Sequence, residues 1–169
     1  MLTVGADVSV DIEKPAAGGR MIARHDGQIL LVSGAIPGER VSVRVERVEK
    51  RLAFASTIEV IEASADRRPA SDPLCGGCVY SHIAYSRQVT LKAGIIADAF
   101  TRIGRIPVEQ QQLAVTPSPE TGYRLRARLH VRRNAAGFYR EGTHELCDAG
   151  STNQLSQGAM DAVDLRIGG

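Results

Sequence analysis

Two of the three cysteines in this 169-residue chain stand in the run Asp72-Pro73-Leu74-Cys75-Gly76-Gly77-Cys78. The intervening glycines let the backbone curl so that both thiolates face one centre, and the amides of such a turn can hydrogen-bond to a bound sulfur. Metal binding, by a single ion or an iron-sulfur cluster, is the first chemistry this spacing suggests. The same spacing serves thiol–disulfide exchange, which calls for a hydrophobic strand before the pair and a helix starting within it. Arg67-Arg68-Pro69-Ala70-Ser71-Asp72-Pro73 supplies no such strand. A turn with two unliganded thiols is a third reading, since the pair is only half of a tetrahedral site.

The second chemistry lies in the arginines. The chain carries 18 arginines and three lysines at a net charge of only +2, and arginine suits phosphate forks and base edges. In Tyr123-Arg124-Leu125-Arg126-Ala127-Arg128-Leu129-His130-Val131-Arg132 a period of two puts Arg124, Arg126, Arg128 and His130 on one strand face. Leu125, Ala127, Leu129 and Val131 take the other, and Arg132 and Arg133 extend the positive run. Lys14, Arg20 and Arg24 form a smaller basic group, interleaved with Asp11, Glu13 and Asp26. A solvated strand face, or arginine usage set by a GC-rich genome, is the competing explanation. Aromatics are scarce, at 4% with no tryptophan, so any stacking of bases rests on few residues.

The elements that would position these groups follow from hydrophobic periodicity. Alternation predicts strands at Val8–Lys14, about Gln28–Ser33, Arg40–Val48 and about Ala53–Ile61, broken by Pro15-Ala16-Ala17-Gly18-Gly19 and by the turn Ile36-Pro37-Gly38-Glu39. Four or five short strands within some sixty residues suggest a small OB-like barrel that closes its own edges. A stretch rich in Ala, Ser, Arg and Pro, Glu62–Asp72, marks the boundary. After the cysteine pair, Ile95, Ile96, Ala99, Phe100 and Ile103 form the apolar face of a helix over Ser86–Ile103, ended by Gly104 and Pro107. The arginine strand then turns at Asn134–Gly137 and returns as Phe138–Cys147, and Asn153–Ile167 is weakly helical. The fold class is mostly β, of α+β type: a barrel over 1–62 and a β-rich region over 63–169 with one long amphipathic helix.

No segment reaches the roughly 20 apolar residues of a membrane span. Met1-Leu2-Thr3-Val4-Gly5 lacks the basic start of a secretory leader. With an odd number of cysteines as well, the expectation is a monomer in the reducing cytoplasm with no membrane partner.

Three blocks, in order, resemble the S-adenosylmethionine-dependent RNA uracil-C5 methyltransferases that carry an N-terminal TRAM domain. Residues 1–61, with Gly34-Ala35-Ile36-Pro37-Gly38-Glu39-Arg40-Val41, are similar to the TRAM barrel, an OB-like RNA-binding module. Cys75-Gly76-Gly77-Cys78-Val79-Tyr80-Ser81-His82-Ile83-Ala84-Tyr85, with Gln88 and Lys92, resembles the family's cluster motif and the helix after it. Tyr123–Arg128 and Gly137-Phe138-Tyr139-Arg140-Glu141-Gly142-Thr143-His144-Glu145-Leu146 resemble its central hairpin.

The resemblance implies RNA, ribosomal or transfer, as partner, with Arg124, Arg126, Arg128, Arg132, Arg133, Lys14, Arg20 and Arg24 as contacts. It implies S-adenosylmethionine as cofactor of the full-length enzyme and a four-cysteine iron-sulfur cluster. Here Arg68 and Pro69 stand where the first cluster cysteine belongs, and the last falls near Thr152, with Cys147 about five residues early. Three outcomes stay open: a remodelled site of Cys75, Cys78 and Cys147 with another fourth ligand, a zinc site completed by Asp72, His82 or His144, or a turn without metal. For Cys147 a small buried hydrophobe is an equal alternative. No Gly-rich loop follows a strand and opens a helix to cradle S-adenosylmethionine, and no residue matches the family's cysteine nucleophile. The chain therefore reads as the substrate-recognition part, ending before a catalytic domain. A stand-alone RNA-binding protein with a structural metal is the alternative, and a disulfide oxidoreductase the third.

Overall fold

The computed structural model describes residues 2–69, 72 and 74–167. Ala70, Ser71 and Pro73 of the segment around the predicted boundary, and the terminal Gly168 and Gly169, lie outside the described residues. The chain divides into two compact units that alternate in sequence, Met1–Pro69 with His82–Thr116 and Ala70–Ser81 with Pro117–Gly169.

In the first unit β1 (Asp7–Pro15), β2 (Met21–His25), β3 (Gln28–Ser33), β4 (Arg40–Val48) and β5 (Leu52–Glu62) close a barrel in the order β1-β2-β3-β5-β4. All pairings are antiparallel except β3 with β5. Alternate residues point inward: Val10, Ile12, Met21, Ala23, Leu30, Val32, Val41, Val43, Val45, Ala53 and Ala55 are all buried. Each fully buried Val, Leu or Ile contributes about 1.5–3 kcal/mol, and closure leaves no open edge. The strand missing from the sequence reading is β2. Ile22, at an outward position, hides its alternation, but His25-Asp26-Gly27-Gln28 is a two-residue hairpin loop with Asp26 and Gly27 at φ 48° and 78°, the Asp-Gly pattern such turns require.

The predicted boundary segment is not a free linker. Glu39, fully buried at the end of the Gly34–Glu39 turn, accepts from the backbone N–H of Ile36 (2.9 Å) and of Ser64 (3.1 Å). Arg67 grips both carboxylate oxygens at 2.6 Å and donates to the Gly34 carbonyl at 2.9 Å. Burial opposes ionisation of Glu39, but the Arg67 fork and the two amides outweigh it and hold the carboxyl below its usual range. His82 is buried with Nε2 donating to the Ala35 carbonyl at 3.0 Å, and burial chiefly lowers its pKa.

Helix α1 (Tyr85–Arg102) belongs to this unit, with Arg87 paired to Asp66 at 3.3 Å and Asp98 to Lys14 at 3.3 Å. Its buried residues are Leu91, Ala93 and Ala97, whereas Ile96, Phe100 and Ile103 of the predicted apolar face are 40, 44 and 74% exposed. Close approach favours small side chains, and the face chosen by residue size is not the one that packs. No helix among the described residues is long and apolar enough to cross a membrane.

The second unit is a three-stranded antiparallel sheet, β6 (His130–Arg132), β7 (Ala135–Tyr139) and β8 (Leu146–Asp148), followed by α2 (Gln157–Ile167). The predicted arginine strand is laddered only from His130. Arg124 instead makes a lone parallel bridge to Leu155, its N–H donating to the Gln154 carbonyl at 2.9 Å. A strand needs a neighbour to be one, and residues 125–129 have no ladder among the described residues. The turn comes earlier than predicted, at Arg133-Asn134 with Arg133 at φ 52°. The return is two strands, broken around Gly142 at φ 71°.

Candidate functional site

Of the barrel cations, Lys14 and Arg24 are exposed and tied to carboxylates, Lys14 to Asp98 and Arg24 to Glu13 at 3.6 Å. Arg20 is spent on structure: its side chain is 13% exposed and donates to the carbonyls of Leu31 (3.2 Å) and Ala55 (3.0 Å), with Glu46 at 3.4 Å. Its guanidinium also lies 5.5 Å from the Phe54 ring. Over that ring sits Arg47, 3.8 Å from the centroid and 61% exposed. Neither Phe54 nor Arg47 is among the predicted contacts. Phe54 was legible, because the alternation of buried Ala53 and Ala55 turns it outward; a register shift between Val45 and Arg47 brings Arg47 opposite it. The result is an aromatic ring and a planar cation on the outer wall of the barrel, a surface that can stack a base.

In the second unit Arg126, Arg128, Arg132 and Arg133 are exposed, and no hydrogen bond or ion pair holds their side chains among the described residues. Arg124 differs: it is half-buried, with its guanidinium 5.8 Å from the Tyr123 ring and 5.9 Å from Phe138. Beside the free cations is an aromatic group the sequence reading missed. His130 stacks on Tyr139 with centroids 3.8 Å apart, and His144 meets the same ring edge-on at 5.4 Å. His130 pairs with Gly137, so His130, Arg132 and Tyr139 share one sheet face, while Phe138 faces a core with Cys75, Cys78, Ala149 and Leu155. Exposed guanidiniums, of which Arg132 shares the sheet face of the stacked rings, can hold phosphates while bases lie against the rings.

The cysteine turn is zipped onto the end of β7: the Gly76 N–H donates to the Tyr139 carbonyl at 3.2 Å and the Glu141 N–H to the Leu74 carbonyl at 2.8 Å. Cys75 is joined to Cys147 by a disulfide, Cα atoms 6.0 Å apart. Cys78, also buried, stays outside that bond. The Gln154 Nε2 lies 3.5 Å from its sulfur and donates to the Gly76 carbonyl at 3.0 Å. Gly77, at φ 84°, leaves no room for a Cβ against the Gln154 side chain. Asp72 pairs with Arg140, His144 lies on Tyr139, and His82 belongs to the barrel unit. The Thr152 hydroxyl is turned back to the Ala149 carbonyl at 2.7 Å.

An iron-sulfur cluster or zinc does not fit this donor set. Two of the three sulfurs are bonded to each other, the third is covered by an amide, and no group of three His, Cys, Asp or Glu among the described residues could hold a metal ion. The expectation of Cys75, Cys78 and Cys147 as ligands rests on the sequence resemblance, whereas in this structure Cys75 and Cys147 are joined to each other. Cys147 sits on β8 opposite Phe138, five residues from Thr152, so it reaches Cys75 directly.

Residues 2–58 match the TRAM domain family. Over 83% of its length the chain is 36% identical to an uncharacterized RNA methyltransferase of Halalkalibacterium halodurans, covering 32% of that protein. It is 33% identical to the 23S rRNA (uracil(1939)-C(5))-methyltransferase of Methylococcus capsulatus, over 83% of this chain and 34% of the other. The chain thus spans about a third of the length of these curated relatives. In fold it is similar to the Pyrococcus abyssi tRNA (uracil-54, C5)-methyltransferase solved with S-adenosyl-L-homocysteine, with a TM-score of 0.59 and 24% identity over 92% of this chain and 35% of that one. With a closed five-stranded barrel where the TRAM match falls, the chain carries a TRAM domain, and the relatives it matches over most of its length are RNA methyltransferases.

Proposed function

We propose that this chain binds RNA, ribosomal or transfer, and positions it for methylation at C5 of a uridine by catalytic residues that lie elsewhere in the protein. The observation that carries the reading is the set of exposed guanidiniums of Arg126, Arg128, Arg132 and Arg133, unpaired among the described residues, in the same short run of sequence as His130 of the His130–Tyr139 stack. Phosphate contacts fix register and stacking holds unpaired bases, which is how single-stranded loops are recognised. In the barrel, residues 1–62 in this reading, Arg47 and Phe54 offer a second stacking surface, with Lys14 and Arg24 as rim cations and Arg20 bracing the wall under Phe54. Residues 63–169 supply the arginine segment and hairpin, with Arg124 anchored as a support. S-adenosylmethionine, bound by the full-length enzyme, supplies the methyl group, and no residue of this chain is assigned to that transfer. The names of the curated relatives support the activity.

Ultraviolet cross-linking of the chain to a hairpin RNA with a uridine-containing loop, followed by peptide mapping, tests this. Adducts on the peptides carrying Tyr139 and Phe54 are expected. Adducts confined to peptides without either ring would contradict it.

A further inference from the structure

We propose that Cys75 and Cys147 form a reversible disulfide that fastens the Cys-Gly-Gly-Cys turn to strand β8, a protein-only cross-link in place of the cluster the family resemblance implies. The inference is independent of the RNA-binding reading. The donor count comes first: the chain has three cysteines, and the position of the last cluster cysteine is a threonine whose hydroxyl is committed to its own turn. Next is placement. Cys75 bridges Arg140 and Cys147 pairs with Phe138, so both flank β7 and its continuation. Their Cα separation of 6.0 Å lies within the roughly 4.4–6.8 Å that a disulfide spans. The third point is selectivity. The Gln154 amide against Cys78, over a glycine that admits no side chain, keeps that thiol out of the exchange although it is nearer to Cys75 in sequence.

The chemistry balances with a low-molecular-weight disulfide, RS–SR, as oxidant. Cys147 is only half-buried whereas Cys75 is 2% exposed, so the Cys147 thiolate attacks first and expels one RS⁻. The Cys75 thiolate then attacks the Cys147 sulfur of the mixed disulfide and expels the second. Two protein S–H bonds are lost, one S–S bond forms, and the two protons end on two RSH molecules. Excess dithiol reverses both steps. Reducing compartments keep permanent disulfides rare, which makes a reversible bond the form this cross-link takes.

The test treats the chain in two ways, with oxidised glutathione or anaerobically with ferrous iron, sulfide and thiol. Thiols are then trapped by alkylation under denaturing conditions, peptides are mapped, and iron and sulfide are assayed. Expected are a Cys75–Cys147 linked peptide, a fall from three reactive thiols to one, and no iron retained through desalting. Cys78→Ser should leave the link intact, and Cys147→Ser should abolish it. Stoichiometric iron and sulfide, lost in Cys78→Ser, would overturn the proposal in favour of a cluster. So would a Cys75–Cys78 link, or three reactive thiols after glutathione treatment. Mapping of the unsubstituted chain decides even if a variant fails to fold.

Discussion

The residue with most leverage on the barrel is Glu39, a fully buried carboxylate held by Arg67 and two amides. Removing one partner of a buried pair leaves the other charge unmatched, at about 3–5 kcal/mol. Two buried groups contribute to the pH response. His82 has a folded pKa below the usual histidine value of about 6.5, so the unfolded chain binds its proton first and stability is lost as pH falls through that value. Glu39 also has a lowered pKa, so its contribution is present above the usual carboxylate value and lost as pH falls below it. Urea denaturation should therefore show barrel stability declining from pH 7 to pH 5, then more steeply in the acid range. His82→Gln should flatten the first decline, and an unchanged slope would remove His82 from the account. Little of this was legible: a Glu ending an Ile-Pro-Gly turn and an Arg in an apparent linker give no sign of meeting, because nothing local marks a contact between residues 28 apart.

At the scale of elements, legibility tracked burial on one face. Strands β1, β3, β4 and β5 have valine and other apolar residues facing a closed interior, so a period of two appears in the sequence. Helix α1 packs through Leu91, Ala93 and Ala97 and exposes larger residues, so its apolar pattern indicated the wrong face. In the hairpin, β7 lies so near β8 that a Cβ on Gly137 would run into the Cys147 carbonyl. Gly137→Ala should then destabilise the second unit by about 1–3 kcal/mol, the usual cost of overpacking. Hydrogen exchange followed by mass spectrometry would localise the loss to residues 130–148, and unaltered protection there would contradict the packing described.

At the scale of the whole chain there is a barrel unit and a sheet unit, and in the proposed function the exposed cations and rings of each meet RNA. The arginine segment was legible as charge but not as structure, since no ladder and no ion pair holds Arg126 or Arg128 among the described residues. The stacked rings were not legible, because His130, Tyr139 and His144 converge only once the turn falls at Arg133-Asn134. The central claim is that phosphate contacts made by these arginines hold the RNA. Its most direct test is the salt dependence of affinity for a hairpin RNA, compared with a variant in which Arg126, Arg128, Arg132 and Arg133 are all glutamine. Each phosphate contact to a single strand contributes about −0.7 to the slope of log K against log salt, so the variant should bind more weakly, with a slope shallower by up to about 3. Equal slopes and affinities, with the fold intact, would contradict the account.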